Sequence, residues 1–196
     1  MLKVGITGNL GSGKSLVCSI FSALSVPVFN ADSEAKALYH DPHIKNEVIS
    51  YFGKDVYCST GDLNATILAD KIFKDKQAME FISGLIHPAV RDRFSQWCLQ
   101  HNQAPYVLYE AAIMIESGHY RMLDKLILVT APLSLRIQRV MARDHATEAS
   151  VLARVDKQMP EADKIPFADF LVNNDGETLL IPQVLSIHKA LVSISD

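Results

Sequence analysis

The stretch Gly-Asn-Leu-Gly-Ser-Gly-Lys-Ser at residues 8–15 constrains this chain more than any other feature. It follows a short apolar run at residues 2–7 and precedes residues 15–24, whose apolar side chains recur at helical spacing. The glycines let the backbone curl so that several N–H groups point at one anion, and the following helix adds the positive end of its dipole. In this strand–loop–helix context the pattern predicts a loop that binds phosphate groups.

The motif gives a chemical task to each of its polar positions. Lys14 supplies a cation to the β- and γ-phosphates of a nucleotide, and the Ser15 hydroxyl is suited to hold Mg²⁺. The chain is therefore expected to use ATP and Mg²⁺. The residues expected to contact the nucleotide here are Gly8, Gly11, Ser12, Gly13, Lys14, Ser15 and Leu16.

Short apolar runs alternate with helical patterns along the chain, which is typical of a parallel sheet covered by helices on both faces. The predicted strands cover residues 2–7, 26–29, 106–109, 126–129 and 170–172. We therefore expect an α/β fold of the P-loop NTPase type, with a parallel five-stranded sheet flanked by helices, a helical acceptor-binding insert and a helical lid.

Residues 31–101 have a mostly helical pattern, and this stretch is longer than a crossover between two strands needs. Within it, Asn64 is expected to cap one helix and Pro88 to begin another. We therefore expect a helical subdomain inside a single domain. The expected bounds are about 31–103 for this subdomain, about 1–30, 104–138 and 166–196 for a nucleotide-binding core, and about 139–165 for a lid.

Composition excludes several classes of function. The chain has 196 residues and a formal net charge of −3, so no electrostatic footprint for nucleic acid is expected. Cys18, Cys58 and Cys98 are widely spaced and form no CxxC motif, which favours reduced thiols in the cytoplasm. No apolar run is long enough to span a membrane, and no obligate protein partner is evident.

Two carboxylates lie where ligands of such sheets bind, beyond the carboxyl ends of the strands. Asp32 comes shortly after the second apolar run, and Glu110 directly follows the third. The Asp32 carboxylate is suited to accept the proton of an attacking hydroxyl or to orient that hydroxyl. Asp is also a favoured N-cap, so a cap for a helix beginning at Ser33 is an equal alternative, and the two roles are compatible.

Three arginines follow the fourth strand at spacings that place them on one face of a helix. Arg136, Arg139 and Arg143 are expected near the phosphate loop, where cations neutralise the charge that develops during phosphoryl transfer. The alternative is a solvated basic face that pairs with Glu148 or Asp144.

The motif and the short chain together favour a small-molecule kinase. The guanine-reading NKxD motif of switch GTPases is missing from the sequence. A nucleoside monophosphate kinase is one alternative, but its phosphate acceptor needs several arginines, and residues 31–101 contain only Arg91 and Arg93. A non-catalytic, ATP-binding regulator is the alternative from another class.

Taken in order, several segments resemble the dephospho-coenzyme A (dephospho-CoA) kinase family. The matching segments are ITGNLGSGKS at residues 6–15, NAD at 30–32, IHPAVR at 86–91, QRVMARD at 138–144, Arg154 with Gln158, and ADFLVNNDG at 168–176. The chain departs from the family at Asn30, where Asp is usual, and at Asn9, where Gly is usual. Asn30 removes a second carboxylate from the expected acceptor site but leaves Asp32.

The resemblance implies transfer of the ATP γ-phosphate to the ribose 3′-hydroxyl of dephospho-CoA, which is the last step of coenzyme A biosynthesis. The implied catalytic residues are Asp32, as the base, with Lys14, Arg139 and Arg143. The implied acceptor-binding residues are Asp32, His87, Arg91 and Glu110, and further nucleotide contacts are expected at Asn174 and Gly176. A structural role for His87 and a simple turn at residues 173–176 are the alternatives.

Overall fold

The computed structural model describes residues 1–195, with the side chain of Lys74 outside the description. Five parallel strands form one sheet in the order β2-β3-β1-β4-β5. The strands are β1 (Leu2–Thr7), β2 (Val28–Asn30), β3 (Tyr106–Glu110), β4 (Lys125–Thr130) and β5 (Phe170–Asn173). The predicted five-stranded parallel sheet is therefore confirmed. β2 begins two residues later than expected because Pro27, which precedes it, has no N–H for the ladder.

The helices alternate with these strands, as the sequence predicts. They are α1 (Lys14–Ala23), α2 (Ala31–Leu38), α3 (Pro42–Phe52), α4 (Ala65–Lys74), α5 (Lys76–Gln100), α6 (Leu133–Asp144), α7 (Glu148–Val155), α8 (Glu161–Lys164) and α9 (Leu180–Ser195). Short 3₁₀ turns lie at Lys54–Val56, His119–Met122 and Ile165–Phe167. None of the helices in the described part of the chain combines the length and hydrophobicity that a membrane span requires.

The chain divides into two compact units. The first contains residues 1–30 and the chain from His101 onward, and the second is Ala31–Gln100. The first unit holds the whole sheet together with α1 and the helices from α6 to α9, and the second holds α2 to α5.

The core of the first unit lies where α1 and α9 cover one face of the sheet. Val17 and Phe21 of α1 are fully buried, as are Leu191 of α9 and Ile6 and Val129 of the strands. Each such side chain contributes on the order of 1.5–3 kcal/mol of transfer free energy. This packing fixes the first turn of α1 beyond the carboxyl end of β1.

In the helical unit the local sequence explains the start of α4. Asn64 accepts a hydrogen bond from Ile67 N–H and caps α4, so that prediction is confirmed. The prediction that Pro88 begins a helix is wrong, because Pro88 lies inside α5. Proline removes the N–H that would bond to the carbonyl four residues earlier. That residue is Gly84, which is exposed and leaves its carbonyl accessible to water.

Candidate active site

The loop between β1 and α1 depends on two glycines with left-handed backbone. Gly11 has a φ of 79° and Gly13 a φ of 89°, a region that residues with a Cβ rarely adopt. A Cβ on Gly11 would also lie 2.5 Å from the carbonyl oxygen of Arg136. The Ser12 N–H donates to the Asn9 carbonyl at 3.0 Å and tightens the curve. The loop therefore turns successive N–H groups around the start of α1, as the motif predicts.

The loop lines a cavity of about 240 Å³ together with side chains from α6 and from the segment after α7. The lining residues are Gly8 to Leu16, Ala112, Arg139, Val140, Arg143 and Gln158. Three of these residues are cationic, namely Lys14, Arg139 and Arg143, and none of the described lining residues is acidic. Backbone donors and cations around one cavity favour a polyphosphate ligand.

A buried carboxylate lies behind this cavity, at the end of β3. Glu110 is 5% exposed, and its Oε1 accepts a hydrogen bond from the Ser15 hydroxyl at 3.1 Å. The same oxygen lies 3.6 Å from Lys14 Nζ. The other oxygen, Oε2, accepts a hydrogen bond from Asn30 Nδ2 at 2.8 Å. Glu110 thus orients Lys14 and Ser15, two of the polar side chains of the phosphate motif, a placement that the sequence interpretation did not specify.

Cys18 lies in α1, one turn after Lys14 and Ser15. Burial, and to a lesser extent the neighbouring Glu110 carboxylate, raises the pKa of the Cys18 thiol far above its ordinary value. The thiol therefore stays protonated and adds no charge to the site.

Asn174, directly after β5, connects the phosphate loop to α6. Its Nδ2 donates to the Ser12 carbonyl at 2.7 Å. Its own carbonyl and Oδ1 accept hydrogen bonds from Arg139 Nη1 and Nη2 at 3.1 and 3.2 Å. Arg139 is therefore held in one orientation at the edge of the cavity, and Asn174 supports the loop from outside.

The predicted arginine face of α6 divides into different environments. Arg136 is buried, whereas Arg139 and Arg143 line the cavity. Arg143 also forms a bidentate pair with Asp144, at 2.7 and 3.1 Å, and Arg154 of α7 reaches the same carboxylate at 2.7 Å. These hydrogen bonds, that of Arg143 foremost, hold the pKa of Asp144 well below its ordinary value. The sequence alternative of pairing with Asp144 is correct for Arg143, which nevertheless reaches the cavity.

The turn after β5 borders a second cavity. The Asp175 carboxylate accepts hydrogen bonds from the N–H groups of Thr178 and Glu177, which lower its pKa to about 2. The predicted turn is therefore confirmed. The cavity beside it has a volume of about 480 Å³ and is lined by Leu16, Ile20, Asn174 and residues 176–182. This cavity is lined by Leu16, Asn174 and Gly176, which are the three residues expected to contact the nucleotide beyond the phosphate loop.

The remaining predicted site residues belong to the helical unit. Asp32 is the second residue of α2 and is exposed. Because α2 begins at Ala31, the prediction of an N-cap at Asp32 is wrong. His87 and Arg91 are one turn apart on α5, and burial, with a smaller effect of the Arg91 charge, lowers the pKa of His87. Glu34 of α2 pairs with Arg93 of α5 at 3.0 Å, which fixes the helix that carries Asp32 within this unit.

One ion pair near the phosphate loop was not anticipated from the sequence. Lys164, in α8, has no exposed side-chain surface, and its Nζ lies 2.7 Å from Glu116 Oε1. Neither residue belongs to a recognisable spacing, and lysine is rarely buried unless it is paired. The only sequence signal is a lone cation in the short stretch before β5, and this signal has little specificity.

Comparison with known proteins gives a consistent result along the chain. The dephospho-CoA kinase family model matches residues 2–179. A dephospho-CoA kinase of Bacteroides fragilis is 38% identical over 187 residues, which cover 95% of this chain and 91% of that protein. The crystal structure of TT1252 from Thermus thermophilus superposes with a TM-score of 0.85 at 32% identity, covering 96% of both chains. A dephospho-CoA kinase from Campylobacter jejuni shares the fold, with a TM-score of 0.73, 22% identity and coverage of 99% and 98%.

The family model and the curated relatives span nearly the whole chain, including the phosphate loop, Glu110 and the arginines of α6. The expected resemblance is therefore confirmed. The chain belongs to the dephospho-CoA kinase family and is an ATP-dependent phosphotransferase.

Proposed function

We propose that this protein transfers the γ-phosphate of ATP to the ribose 3′-hydroxyl of dephospho-CoA, giving coenzyme A and ADP. The match to the dephospho-CoA kinase family over residues 2–179 carries this proposal. The cavity lined by the phosphate loop, Lys14, Arg139 and Arg143 supports the ATP side of the reaction. We propose a cytoplasmic location as part of this assignment.

The two cavities of the first unit suggest how ATP lies. The phosphate chain occupies the cationic cavity, and the adenine base occupies the more apolar cavity beside Leu16, Asn174 and Gly176. Leu16 lines both cavities, which makes them adjacent along one ligand. In this arrangement Lys14 and the first turn of α1 hold the β- and γ-phosphates.

The oxygen donors beside the loop fit Mg²⁺. The Ser15 hydroxyl and the buried Glu110 carboxylate lie 3.1 Å apart, and Mg²⁺ prefers oxygen ligands. The described residues contain no cluster of three or more His, Cys, Asp or Glu side chains suited to a metal. We propose that Ser15 holds the ion, which neutralises charge on the phosphate oxygens when bound.

The reaction needs a base and a set of cations. We propose that the Asp32 carboxylate accepts the proton of the 3′-hydroxyl while that oxygen bonds to the γ-phosphorus and the bond from phosphorus to the ADP oxygen breaks. Arg139 and Arg143 neutralise charge on the transferring group. His87 and Arg91 bind the acceptor, and the contribution of Glu110 to acceptor binding stays a prediction.

The test is coupled ADP release with MgATP and a panel of acceptors: dephospho-CoA, AMP, CMP, adenosine and none. Turnover is expected with dephospho-CoA alone, and phosphorus NMR of the product should place the new phosphate on the 3′-oxygen. Lys14→Ala is the matched control, since a contaminating kinase would be insensitive to it. Turnover with AMP or CMP instead would favour a monophosphate kinase, and ATP binding without turnover on any acceptor would favour a regulator.

A further inference from the structure

The segment that follows α7 contacts the phosphate loop at two points. Gln158 Oε1 accepts a hydrogen bond from the backbone N–H of Leu10 at 2.7 Å. The Met159 carbonyl accepts a hydrogen bond from Asn9 Nδ2 at 3.0 Å. The chain that returns from α7 is therefore attached to the early part of the loop, ahead of the glycines that curl around the start of α1.

The same segment is anchored on its other side by Glu116. Glu116 Oε1 accepts a hydrogen bond from Met159 N–H at 3.3 Å and lies 2.7 Å from Lys164 Nζ. Because the Lys164 side chain is completely buried, separating it from Glu116 would leave an uncompensated charge in the interior. Residues 158–164 are thus fixed at both ends, and the position of Gln158 is set by the fold and not by its own flexibility.

The hydrogen bond from Leu10 determines which way the Gln158 amide faces. A backbone N–H can only donate, so the oxygen of the carboxamide must face Leu10, and the planar group carries its Nε2 donors on the other side. Gln158 Nε2 has no hydrogen-bond partner among the described residues. Gln158 also lines the cationic cavity with Lys14, Arg139 and Arg143. An amide with available N–H donors at the edge of a phosphate cavity is suited to an anionic oxygen.

The position along the loop indicates which phosphate is involved. The N–H groups from Gly11 to Ser15 surround the start of α1, where a P-loop cradles the inner phosphates. Gln158 approaches at Leu10, before this curve, and lines the same cavity as Arg139 and Arg143. We propose that Gln158 is a further catalytic residue: its Nε2 donates a hydrogen bond to the terminal phosphate of ATP while its Oε1 holds the Leu10 N–H.

This inference rests on the assignment of the cavity to the ATP phosphates. Its test compares the affinities of ADP and of adenylyl imidodiphosphate, an ATP analogue that resists hydrolysis, by titration calorimetry with Mg²⁺. Gln158→Ala is expected to weaken binding of the analogue by about tenfold, which is the typical effect of losing one hydrogen bond to a charged group. Binding of ADP should weaken by less than about twofold. Gln138→Ala, an exposed glutamine of α6 outside the cavity, is the matched control and should bind both like the parent.

Gln158→Glu separates this role from simple support of the loop. Glutamate keeps an acceptor for the Leu10 N–H but replaces the Nε2 donors by negative charge. The inference expects the analogue to bind Gln158→Glu more weakly than Gln158→Ala, while ADP binding stays near that of the parent. A purely structural role predicts parent-like binding of both ligands by Gln158→Glu, and that result would overturn the inference.

The outcomes also distinguish this inference from the proposed function. If the parent binds neither ligand, the assignment of ATP to the cavity fails and the role of Gln158 fails with it. If the parent binds both ligands and Gln158→Ala loses affinity for both to the same extent, only the role of Gln158 is refuted. Thermal unfolding of each variant, measured in parallel, identifies a loss of affinity that comes from misfolding.

Discussion

Asn30 donates a hydrogen bond to Glu110 at 2.8 Å from the neighbouring strand. The two residues are register partners at the carboxyl ends of β2 and β3. The amide at position 30 is neutral and donates to one Glu110 oxygen, while the other oxygen contacts Lys14 and Ser15.

Asn30→Asp tests this relationship through stability. A carboxylate placed against buried Glu110 replaces a hydrogen bond by repulsion, so the free energy of unfolding should fall by about 2–4 kcal/mol at pH 8 without Mg²⁺. Denaturant unfolding at pH 8 measures this, and Asn30→Ala, which removes the amide without adding a charge, should be destabilised less.

Asp32→Asn tests the proposed base. The amide cannot accept the proton of the acceptor hydroxyl, so turnover with dephospho-CoA should fall by about 10²–10⁴-fold. ATP affinity should change by less than about twofold, because Asp32 belongs to the helical unit and not to the lining of the phosphate cavity. Glu47→Gln, which changes an exposed carboxylate of α3 in the same unit, is the matched control. Near-normal turnover of Asp32→Asn would leave Asp32 with a role in helix α2 only.

Sequence reasoning was most successful where one local pattern dictates the structure. The phosphate loop needs left-handed glycines at Gly11 and Gly13, and the alternation of apolar strands with helices determines a parallel sheet. The cap at Asn64 follows from the same kind of local chemistry. These features depend on neighbours in the chain, so a single sequence contains enough information to predict them.

The parts that sequence reasoning missed depend on residues distant in the chain. The pair of Glu116 with Lys164 and the contact of Gln158 with Leu10 join segments that no spacing rule connects. The prediction for Pro88 failed for a different reason. Proline favours the first turn of a helix, but here it lies inside α5, where the residue that loses its hydrogen bond is the exposed Gly84.

His87 provides a test of the electrostatics of the helical unit. Burial foremost, and then the charge of Arg91, lower its pKa below the ordinary value of about 6.5. The folded protein therefore binds this proton less readily than the unfolded chain. As the pH falls below about 6.5, protonation of His87 lowers the free energy of unfolding. Proton NMR titration of the ring should show the lowered midpoint. Arg91→Gln should raise the midpoint, whereas Arg93→Gln, two residues further on, should leave it unchanged.

The ion pair of Glu116 and Lys164 should respond asymmetrically to substitution. Lys164 has no exposed side-chain surface, whereas 22% of the Glu116 side chain is exposed. Glu116→Gln leaves a buried ammonium without a counter-charge and should lower the free energy of unfolding by about 2–4 kcal/mol. Lys164→Met removes the buried charge, keeps most of the apolar stem, and leaves a carboxylate that water can reach, so its cost should be below about 2 kcal/mol.

A double-mutant cycle completes the test of this pair. Glu116→Gln combined with Lys164→Met should be about as stable as Lys164→Met alone, because the unpaired ammonium is then gone. Denaturant unfolding of the four proteins gives the coupling free energy. Equal costs for the two single substitutions that simply add in the double variant would show that Lys164 and Glu116 stabilise the fold independently. The segment carrying Gln158 would then be positioned by its hydrogen bonds with Leu10, Asn9 and Glu116, without a contribution from the ion pair.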